Sequence, residues 1–228
     1  MKVSTVALLV LVGLASAGVL SAQTAVVTLP VNSLTDIYKA GGFDDGTGAS
    51  PPLAYVFRAG SGQVLEFLSV VGQWTCNVNT NQPYSADGTS NPDGGCYPRA
   101  NINPTGPFSG YDNTDYQGAM VGIFLECGLP TTTAPTLRFY VNDGSQGGIK
   151  TDFTVLQPAI GQVFFVGDGL TGTGTGTRQL FLVPPTATHL YLAYVDSCSS
   201  SGFTGPGCYF DNAGSITVAL RIRQQARN

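Results

Sequence analysis

The sequence predicts an all-β protein whose strands pack as a β-sandwich or jelly roll. The chain contains 30 Gly and 14 Pro among 228 residues, and only 11% of its residues are charged. Short runs rich in Val, Ile, Leu and Phe alternate with clusters of Gly, Pro, Asn and Asp, and no long stretch has the period of a helix. Many short strands separated by turn residues are typical of sandwiches and jelly rolls.

The N-terminal segment predicts export. Lys2 is followed by an apolar run over residues 6–14 and by small residues that suit cleavage after residue 17 or after residue 22. We therefore expect residues 1–22 to be a signal peptide and residues 23–228 to be a single secreted or cell-surface domain, with no membrane segment after cleavage. The apolar run is short for a membrane span. The alternative is an uncleaved segment that anchors the protein or packs into an assembly.

Short β-rich runs predict the strands of the sandwich in order along the chain. Residues 64–71 and 119–125 are each an apolar run bounded by turn residues. The alternating Thr and Gly of residues 171–177 lack the Lys-Ser/Thr ending of a phosphate loop, so we expect a flexible loop or an irregular edge strand there. Further strands are expected at residues 26–29, 53–58, 136–141, 162–166 and 179–183.

Two polar regions and one aromatic residue have alternative interpretations. Asp44-Asp45-Gly46 can hold a second cation, but this loop lacks the alternating carboxylates of an EF-hand, which disfavours that interpretation. Residues 77–117 combine Tyr with Asn, Asp, Pro and Gly, which suits carbohydrate recognition and equally suits a packed polar layer over one end of the sandwich. Trp74, the only tryptophan, can stack on a sugar or fill the core.

The C-terminal part predicts two strands joined by a long connection. Residues 190–195 are apolar at both odd and even positions, which indicates a strand buried on both faces. Residues 215–223 place Ile216, Val218, Leu220 and Ile222 on one parity, the pattern of a half-buried strand. We expect a hairpin, with a connection over residues 196–214 that is much longer than a usual hairpin turn.

Five cysteines fit an exported protein with two disulfides and one remaining thiol. Cys198 and Cys208 enclose a short loop, and we expect them to pair. Cys76 and Cys96 bracket a segment too polar to pack by itself, and we expect them to form the second disulfide. Cys127 follows an apolar run, so a buried free thiol is expected, with an intermolecular disulfide as the alternative.

The long connection carries two carboxylates and a carboxamide that can converge. Asp196 ends the first strand, and Asp211 and Asn212 precede the second, while no Lys or Arg occurs between Arg178 and Arg221. Two carboxylates, an amide carbonyl and main-chain carbonyls are the oxygen ligands that Ca²⁺ takes. Asp-Asn-x-Gly is also common turn chemistry, and the residue types alone favour an ordinary turn.

The pattern D-x(11)-C-Y-x-D-N-x-G-S before the last strand resembles the calcium-binding segment of the LecA (PA-IL-like) bacterial galactose-binding lectins. In that family the pattern is D-x(3)-T-Y-x-N-N-x-G-S, so Asp211 replaces an asparagine and the loop is longer. Weaker similarity runs through the Gly-Gln-Trp-Thr-Cys segment at 72–76 and the Gly-Ala-Met-Val segment at 118–121. The family's sugar-contacting histidine and glutamine have no counterpart that the sequence identifies.

The resemblance implies a galactose-binding-domain-like sandwich that holds Ca²⁺ and binds a sugar through it. By this resemblance the metal ligands are the side chains of Asp196, Asp211 and Asn212, with the main-chain carbonyls of Cys208 and Cys76. Two vicinal hydroxyls of a galactose-like sugar would then complete the coordination of the ion. Sugar contacts are expected from Asp196, Ser197, Cys208 and Asp211, together with Trp74.

The composition and the scarcity of catalytic side chains exclude several other classes of function. The net charge is −4 with no basic cluster, so nucleic acid and anionic membranes are poor partners. The single histidine, His189, is expected to be structural, which leaves no base for a Ser-His-Asp or Cys-His arrangement and too few ligands for zinc. Glu66 and Glu126 are the only glutamates, and no carboxylate pair has the spacing of a glycosidase site.

We therefore expect a secreted, non-enzymatic, calcium-dependent carbohydrate-binding protein, with a homo-oligomer possible. One alternative is an extracellular surface or filament protein in which Ca²⁺ is purely structural and the Gly- and Thr-rich sequence serves assembly. Another is an accessory domain of a secreted polysaccharide-degrading enzyme, which the absence of a linker or second domain disfavours.

Overall fold

The computed structural model describes residues 25–79, 82–89, 100–113, 118–140, 147–198 and 204–225. The regular structure of these residues is almost entirely β, and the expected all-β sandwich is confirmed. None of the helices in these ranges is long and apolar enough to cross a membrane. The predicted signal peptide, residues 1–22, lies outside the described residues.

A five-stranded sheet forms one layer of the sandwich. Its neighbouring strands are antiparallel except at one edge, where the last two strands are parallel. In spatial order the strands are β1 (Val27–Asn32), β15 (Ala213–Gln224), β3 (Gln63–Thr75), β13 (Leu180–Leu182) and β9 (Val155–Leu156).

A four-stranded antiparallel sheet forms the facing layer. In spatial order it contains β10 (Val163–Phe165), β6 (Met120–Leu125), β14 (His189–Tyr194) and β2 (Ala54–Val56). The core lies between the two layers and is rich in aromatic rings. Phe164 of this sheet packs on Phe181 of the five-stranded sheet with ring centroids 5.5 Å apart, and Phe67 packs edge-on against Phe181 at 5.4 Å. Buried rings across the interface hold the two sheets together.

A smaller sheet and a hairpin complete the fold. The smaller sheet lies partly within residues 77–117, and its central strands are held by an ion pair of 2.7 Å between Asp112 and Arg138. Its strands are β4 (Ala100–Ile102), β5 (Tyr111–Asn113), β7 (Leu137–Tyr140) and β8 (Ile149–Lys150). The Thr-Gly repeat forms the hairpin of β11 (Leu170–Gly172) and β12 (Thr175–Arg178), and 3-10 helices cover Ile37–Gly42 and Tyr209–Asp211.

The prediction that the last two strands form a hairpin is wrong. β14 pairs with β6 and β2, whereas β15 pairs with β3 and β1, so the two strands lie in different sheets. The connection between them is long because it crosses from one layer of the sandwich to the other. The expected alternation of β15 is confirmed, since Ile216, Val218, Leu220 and Ile222 are buried.

Cys127 is exposed, so the expectation of a buried thiol is wrong. β6 ends at Leu125, which is buried, and the chain leaves the core directly after it. The apolar run therefore ends two residues before the thiol, which lies in a surface turn.

Two glycines permit the close packing around the start of β15. Gly214, with φ 94°, lies opposite Trp74, and a Cβ there would collide with the Gln73 carbonyl oxygen. Gly118, with φ 70°, lies against the Trp74 indole, where a Cβ would collide with the ring. The Gly of the Asp-Asn-x-Gly segment thus serves strand pairing as well as turn geometry.

Candidate metal and ligand site

The candidate site lies where the two sheets meet at one end of the sandwich. Asp196 follows β14 of the four-stranded sheet, and Asn212 directly precedes β15 of the five-stranded sheet. The predicted disulfide between Cys198 and Cys208 is present, with the two Cα atoms 5.3 Å apart. Residues 199–203 of the connection lie outside the described residues.

Asp196 is buried and fixed through its main chain. Its N–H donates to the Tyr209 hydroxyl (3.2 Å), and its carbonyl oxygen accepts from the Gly207 N–H (3.0 Å). Its Oδ1 accepts from the Ser197 N–H (2.7 Å), while its Oδ2 is buried without a hydrogen-bond partner among the described residues. Ser197 is itself buried and contacts the carboxylate through its main chain.

Asn212 is buried and oriented by its amide nitrogen. Its Nδ2 donates to the carbonyl oxygen of Ser33, just after β1, at 3.0 Å. This hydrogen bond fixes the orientation of the side-chain amide. The other amide atom, Asn212 Oδ1, is buried and has no partner in the described part of the chain. The neighbouring Asp211 accepts the Val78 N–H at its main-chain oxygen (2.7 Å), and its Oδ1 is also buried and unpartnered there.

The predicted main-chain ligands lie beside these side chains. Thr75 of β3 is paired with Ala213 of β15, and the Val78 N–H donates to the Asp211 carbonyl oxygen. Cys76 therefore lies next to Asn212, where the two strands continue beyond their last paired residues. Cys76 is buried and disulfide-bonded, and its predicted partner Cys96 lies outside the described residues. Cys208 has φ 62° and is the one non-glycine residue with a positive φ in the described ranges. Such backbone conformations are costly and concentrate at functional sites.

The electrostatics of the site disfavour two unpaired carboxylate charges. Burial is the main cause that raises the pKa of Asp196 to about 7, and the charge of Asp211 adds to it, while the Ser197 N–H and the Asn212 amide lower it. Burial also raises the pKa of Asp211. None of the ion pairs among the described residues includes either carboxylate. Two desolvated carboxylates without a cation are unfavourable unless they bind a proton or a metal ion.

The donor set fits a hard cation and does not fit zinc. The oxygens of Asp196, Asp211 and Asn212 are carboxylate and amide atoms, which Ca²⁺ prefers. Within the described ranges there is no cluster of three or more His, Cys, Asp or Glu side chains that could hold a metal. A metal here would therefore depend on the Asn212 amide and on main-chain carbonyls, as expected from the sequence.

Trp74 is not available to stack on a sugar. Its side chain is only 2% exposed, its ring lies against Tyr194 at 4.3 Å, and its Nε1 donates to the Ser85 carbonyl oxygen. The structure thus places Trp74 in the core, the other role considered for it, because a large aromatic at the end of β3 closes the sandwich beneath the site.

Phe210 is an aromatic residue that the sequence did not single out. It lies between Tyr209 and Asp211 and is 85% exposed. Together with Tyr209, Leu34 and residues 47–50 it lines a groove of about 360 Å³. Its position in the Cys-Tyr-Phe-Asp-Asn segment could have been noticed, but exposure cannot be read from the residue type.

The second acidic loop is neutralised by the chain itself. Lys39 Nζ lies 2.5 Å from Asp44 Oδ1 and 3.3 Å from Asp45 Oδ1. The hydrogen bond from Lys39 is the largest cause that holds the pKa of Asp44 below its usual value. The loop around Asp196 has no such lysine, which distinguishes the two candidate cation sites.

Asp36 is a buried carboxylate beside the site and is not among the site residues predicted from the sequence. Its Oδ1 accepts from the Tyr38 N–H (2.8 Å) and its Oδ2 from the Thr47 hydroxyl (3.2 Å). Burial, followed by contact with Asp45, raises the pKa of Asp36 to about 8. Its place directly before a 3-10 helix is the local signal that could have identified it as a cap.

No family model, curated protein or solved structure matches this chain.

Proposed function

We propose that the protein is an exported calcium-dependent carbohydrate-binding protein. In this proposal Asp196, Asp211 and Asn212 bind Ca²⁺ through their side chains, and Cys76 and Cys208 contribute main-chain carbonyl oxygens. The ion takes two vicinal hydroxyls of a galactose-like sugar as further ligands. No reaction is part of this proposal.

The observation that carries the proposal is a set of three buried oxygens without hydrogen-bond partners in the described part of the chain. They are Asp196 Oδ2, Asp211 Oδ1 and Asn212 Oδ1, and they belong to the three side chains that the sequence pattern selected as metal ligands. Buried polar atoms in folded proteins nearly always have a partner, and exceptions call for an unseen ligand or water. A hard cation would satisfy all three oxygens and both carboxylate charges together.

A bound Ca²⁺ would supply the chemistry of sugar binding. Ca²⁺ accepts six to eight oxygen ligands, including neutral ones, so a diol can fill its open positions. Asp196 and Asp211 would then accept hydrogen bonds from the hydroxyls that their charges polarise. The exposed Phe210 ring gives the apolar face of a sugar a surface beside the site, a role that the buried Trp74 cannot take.

One feature of the fold favours a structural role for the metal as a second candidate function. The site joins Ser33 after β1, Cys76 after β3, Asp196 after β14 and Asn212 before β15, so an ion there would tie both sheets together. An extracellular surface or filament protein could use Ca²⁺ in this way without binding a sugar. Calcium binding without a response to any sugar would favour it.

Thermal unfolding with added Ca²⁺ or EDTA tests the metal site. We expect Ca²⁺ to raise the unfolding temperature, with a gain of about 2.7 kcal/mol in unfolding free energy at a hundredfold excess over its Kd. Asp196→Ala and Asp211→Ala should abolish this gain. Asp211→Asn should keep part of it, because an amide oxygen can still coordinate the ion.

Asp45→Ala is the matched control for these variants. It removes a carboxylate from the other acidic loop, where Lys39 already supplies the cation, so the calcium-dependent gain should remain. The proposed site would be contradicted if Asp45→Ala lost the calcium-dependent rise in unfolding temperature and Asp196→Ala retained it. The metal would then bind in the loop around Lys39.

A further inference from the structure

A second cavity lies away from the candidate calcium site, beside the Thr-Gly hairpin. It has a volume of about 190 Å³ and lies between Asp87, the end of β10, the hairpin of β11 and β12, and the segment after β8. This volume is several times the roughly 30 Å³ that one water molecule occupies in the liquid. The cavity can therefore hold a small organic molecule rather than a single bridging water.

Asp87 is the buried carboxylate of this cavity, and one of its two oxygens lacks a partner among the described residues. The side chain is buried, with the residue only 8% exposed. Its Oδ1 accepts from the Asp168 N–H at 2.9 Å. Its Oδ2 is buried and has no hydrogen-bond partner in the described part of the chain. The Thr173 hydroxyl interacts with this carboxylate and lowers its pKa, but no donor among the described residues lies within hydrogen-bond distance of Oδ2, which leaves this oxygen open to a donor from a ligand.

The charges around the cavity favour a cationic donor. Asp168 lies beside Asp87, but its own Oδ1 and Oδ2 accept from the N–H groups of Leu170 (2.8 Å) and Gly174 (2.6 Å). Asp152 at the rim is paired with Lys150 at 3.0 Å. The described lining residues include no Lys, Arg or His. Burial, followed by the charge of Asp168, raises the pKa of Asp87 to about 6, and a cationic ligand would stabilise the ionised carboxylate.

The remaining walls combine hydroxyl groups with apolar surface. Thr151, Thr171 and Thr173 line the cavity and can donate and accept hydrogen bonds. Phe165 and Leu170 supply an aromatic and an aliphatic wall. The Thr151 segment is held in place because Gln179 Nε2 donates to the carbonyl oxygens of Thr151 (2.7 Å) and Phe153 (2.9 Å). A ligand that matches these walls carries hydroxyls on a ring with an apolar face.

We propose that this cavity binds a protonated amino sugar, with its ammonium group on Asp87 Oδ2 and its hydroxyls on the threonines. The positive charge of its ammonium group distinguishes this ligand from a neutral sugar, which would leave the Asp87 carboxylate without a counter-ion. Phe165 and Leu170 offer an apolar surface that a ring can contact and that a hydrated metal ion would not use. Binding at this cavity is independent of the proposed calcium site.

Calorimetric titration in the presence of EDTA tests the proposal. The ligands are glucosamine, its neutral counterpart N-acetylglucosamine, and glucose, all at neutral pH. We expect glucosamine alone to bind, and to do so without Ca²⁺. Asp87→Asn should weaken its binding by at least about tenfold. This variant retains an oxygen that can accept from the Asp168 N–H, so the hairpin should remain folded.

Asp196→Asn is the matched control, since it removes a buried carboxylate at the other site and should leave glucosamine binding unchanged. Leu170→Trp fills the cavity and leaves Asp87 unchanged, so it should also abolish glucosamine binding. It provides a second test if Asp87→Asn does not fold. Equal binding of glucose and glucosamine would overturn the requirement for a cation. Absence of glucosamine binding to the wild-type protein would show a hydrated cavity only and would overturn the proposal.

Discussion

At the scale of single residues, the fate of each buried carboxylate depends on whether the chain supplies it with a partner. Glu66 lies between Arg221 (2.7 Å) and Arg223 (2.8 Å), and Asp45 lies near Lys39. Among the described residues, Asp196 has no cationic partner, and its Oδ2 has no donor within hydrogen-bond distance. Its environment therefore holds either a proton or a metal ion in place of a cationic side chain.

This competition between a proton and a metal ion predicts a pH dependence. The pKa of Asp196 is about 7 in the folded chain and about 3.9 in an unfolded one. The folded state binds more protons between these values, so the metal-free protein gains stability as the pH falls from neutral toward about 5. Because Ca²⁺ requires the ionised carboxylate, the stabilisation that it gives should shrink over the same range. Unfolding temperatures measured across this range with Ca²⁺ and with EDTA check the prediction.

Asp196→Asn is the control for the pH dependence. In EDTA, the Asp196→Asn variant should gain less unfolding free energy than the wild-type protein as the pH falls. It should still gain some, because the pKa values of Asp36 and Asp87 are also raised. A calcium-dependent gain that stays constant or grows on acidification would show that Asp196 does not bind the ion.

At the scale of elements, the disulfide between Cys198 and Cys208 fixes the connection that carries the site. The Cys198/Cys208→Ser double variant should lose about 3 kcal/mol of unfolding free energy, because the unfolded chain gains the entropy of an open loop. It should also bind Ca²⁺ more weakly, since Cys208 with its positive φ directly precedes the 3-10 helix that carries Asp211. Chemical denaturation and calcium titration of this variant measure both effects.

Cys127→Ser is the matched control for the disulfide variant, since Cys127 is free and exposed. It should change neither the stability nor the calcium affinity. Unchanged calcium affinity in the double variant would show that the disulfide does not position the metal ligands.

The strands could be predicted where apolar residues form an uninterrupted or alternating run. β6 and β15 follow the expected positions closely, and β3 extends further, from Gln63 to Thr75. The pairing of β14 and β15 could not be predicted, because neighbouring strands in the sequence were assumed to pair in space. The short strands β4, β5 and β8 contain few apolar residues or only two residues in all, and their sequence does not distinguish them from loops.

The side chains of the candidate site could be selected from the sequence, but their surroundings could not. Asp196, Asp211 and Asn212 are brought to one end of the sandwich, and the Cys198 pairing is correct. The burial of Trp74 and the exposure of Phe210 depend on contacts between residues far apart in the chain. The same is true of the Asp87 oxygen that lacks a partner among the described residues. Such contacts leave no local pattern in a single sequence.

At the scale of the whole molecule, Cys127 offers a route to covalent association. Its thiol is exposed in a turn after β6, so we expect a thiol reagent to modify it in the folded protein. The oxidised wild-type protein should also form a reducible dimer, and Cys127→Ser should form none. Electrophoresis without reductant, with Cys127→Ser as the control, measures this. A thiol that reacts only after denaturation would contradict its exposed position.

In the proposed function, Ca²⁺ at the junction of the two sheets binds a sugar directly. Calorimetric titration of the oxidised protein with galactose and other monosaccharides, first with Ca²⁺ and then with EDTA, tests it most directly. We predict heat of sugar binding in Ca²⁺ that disappears in EDTA and in Asp196→Ala. Calcium binding without heat from any sugar, or sugar binding that EDTA does not change, would contradict the claim.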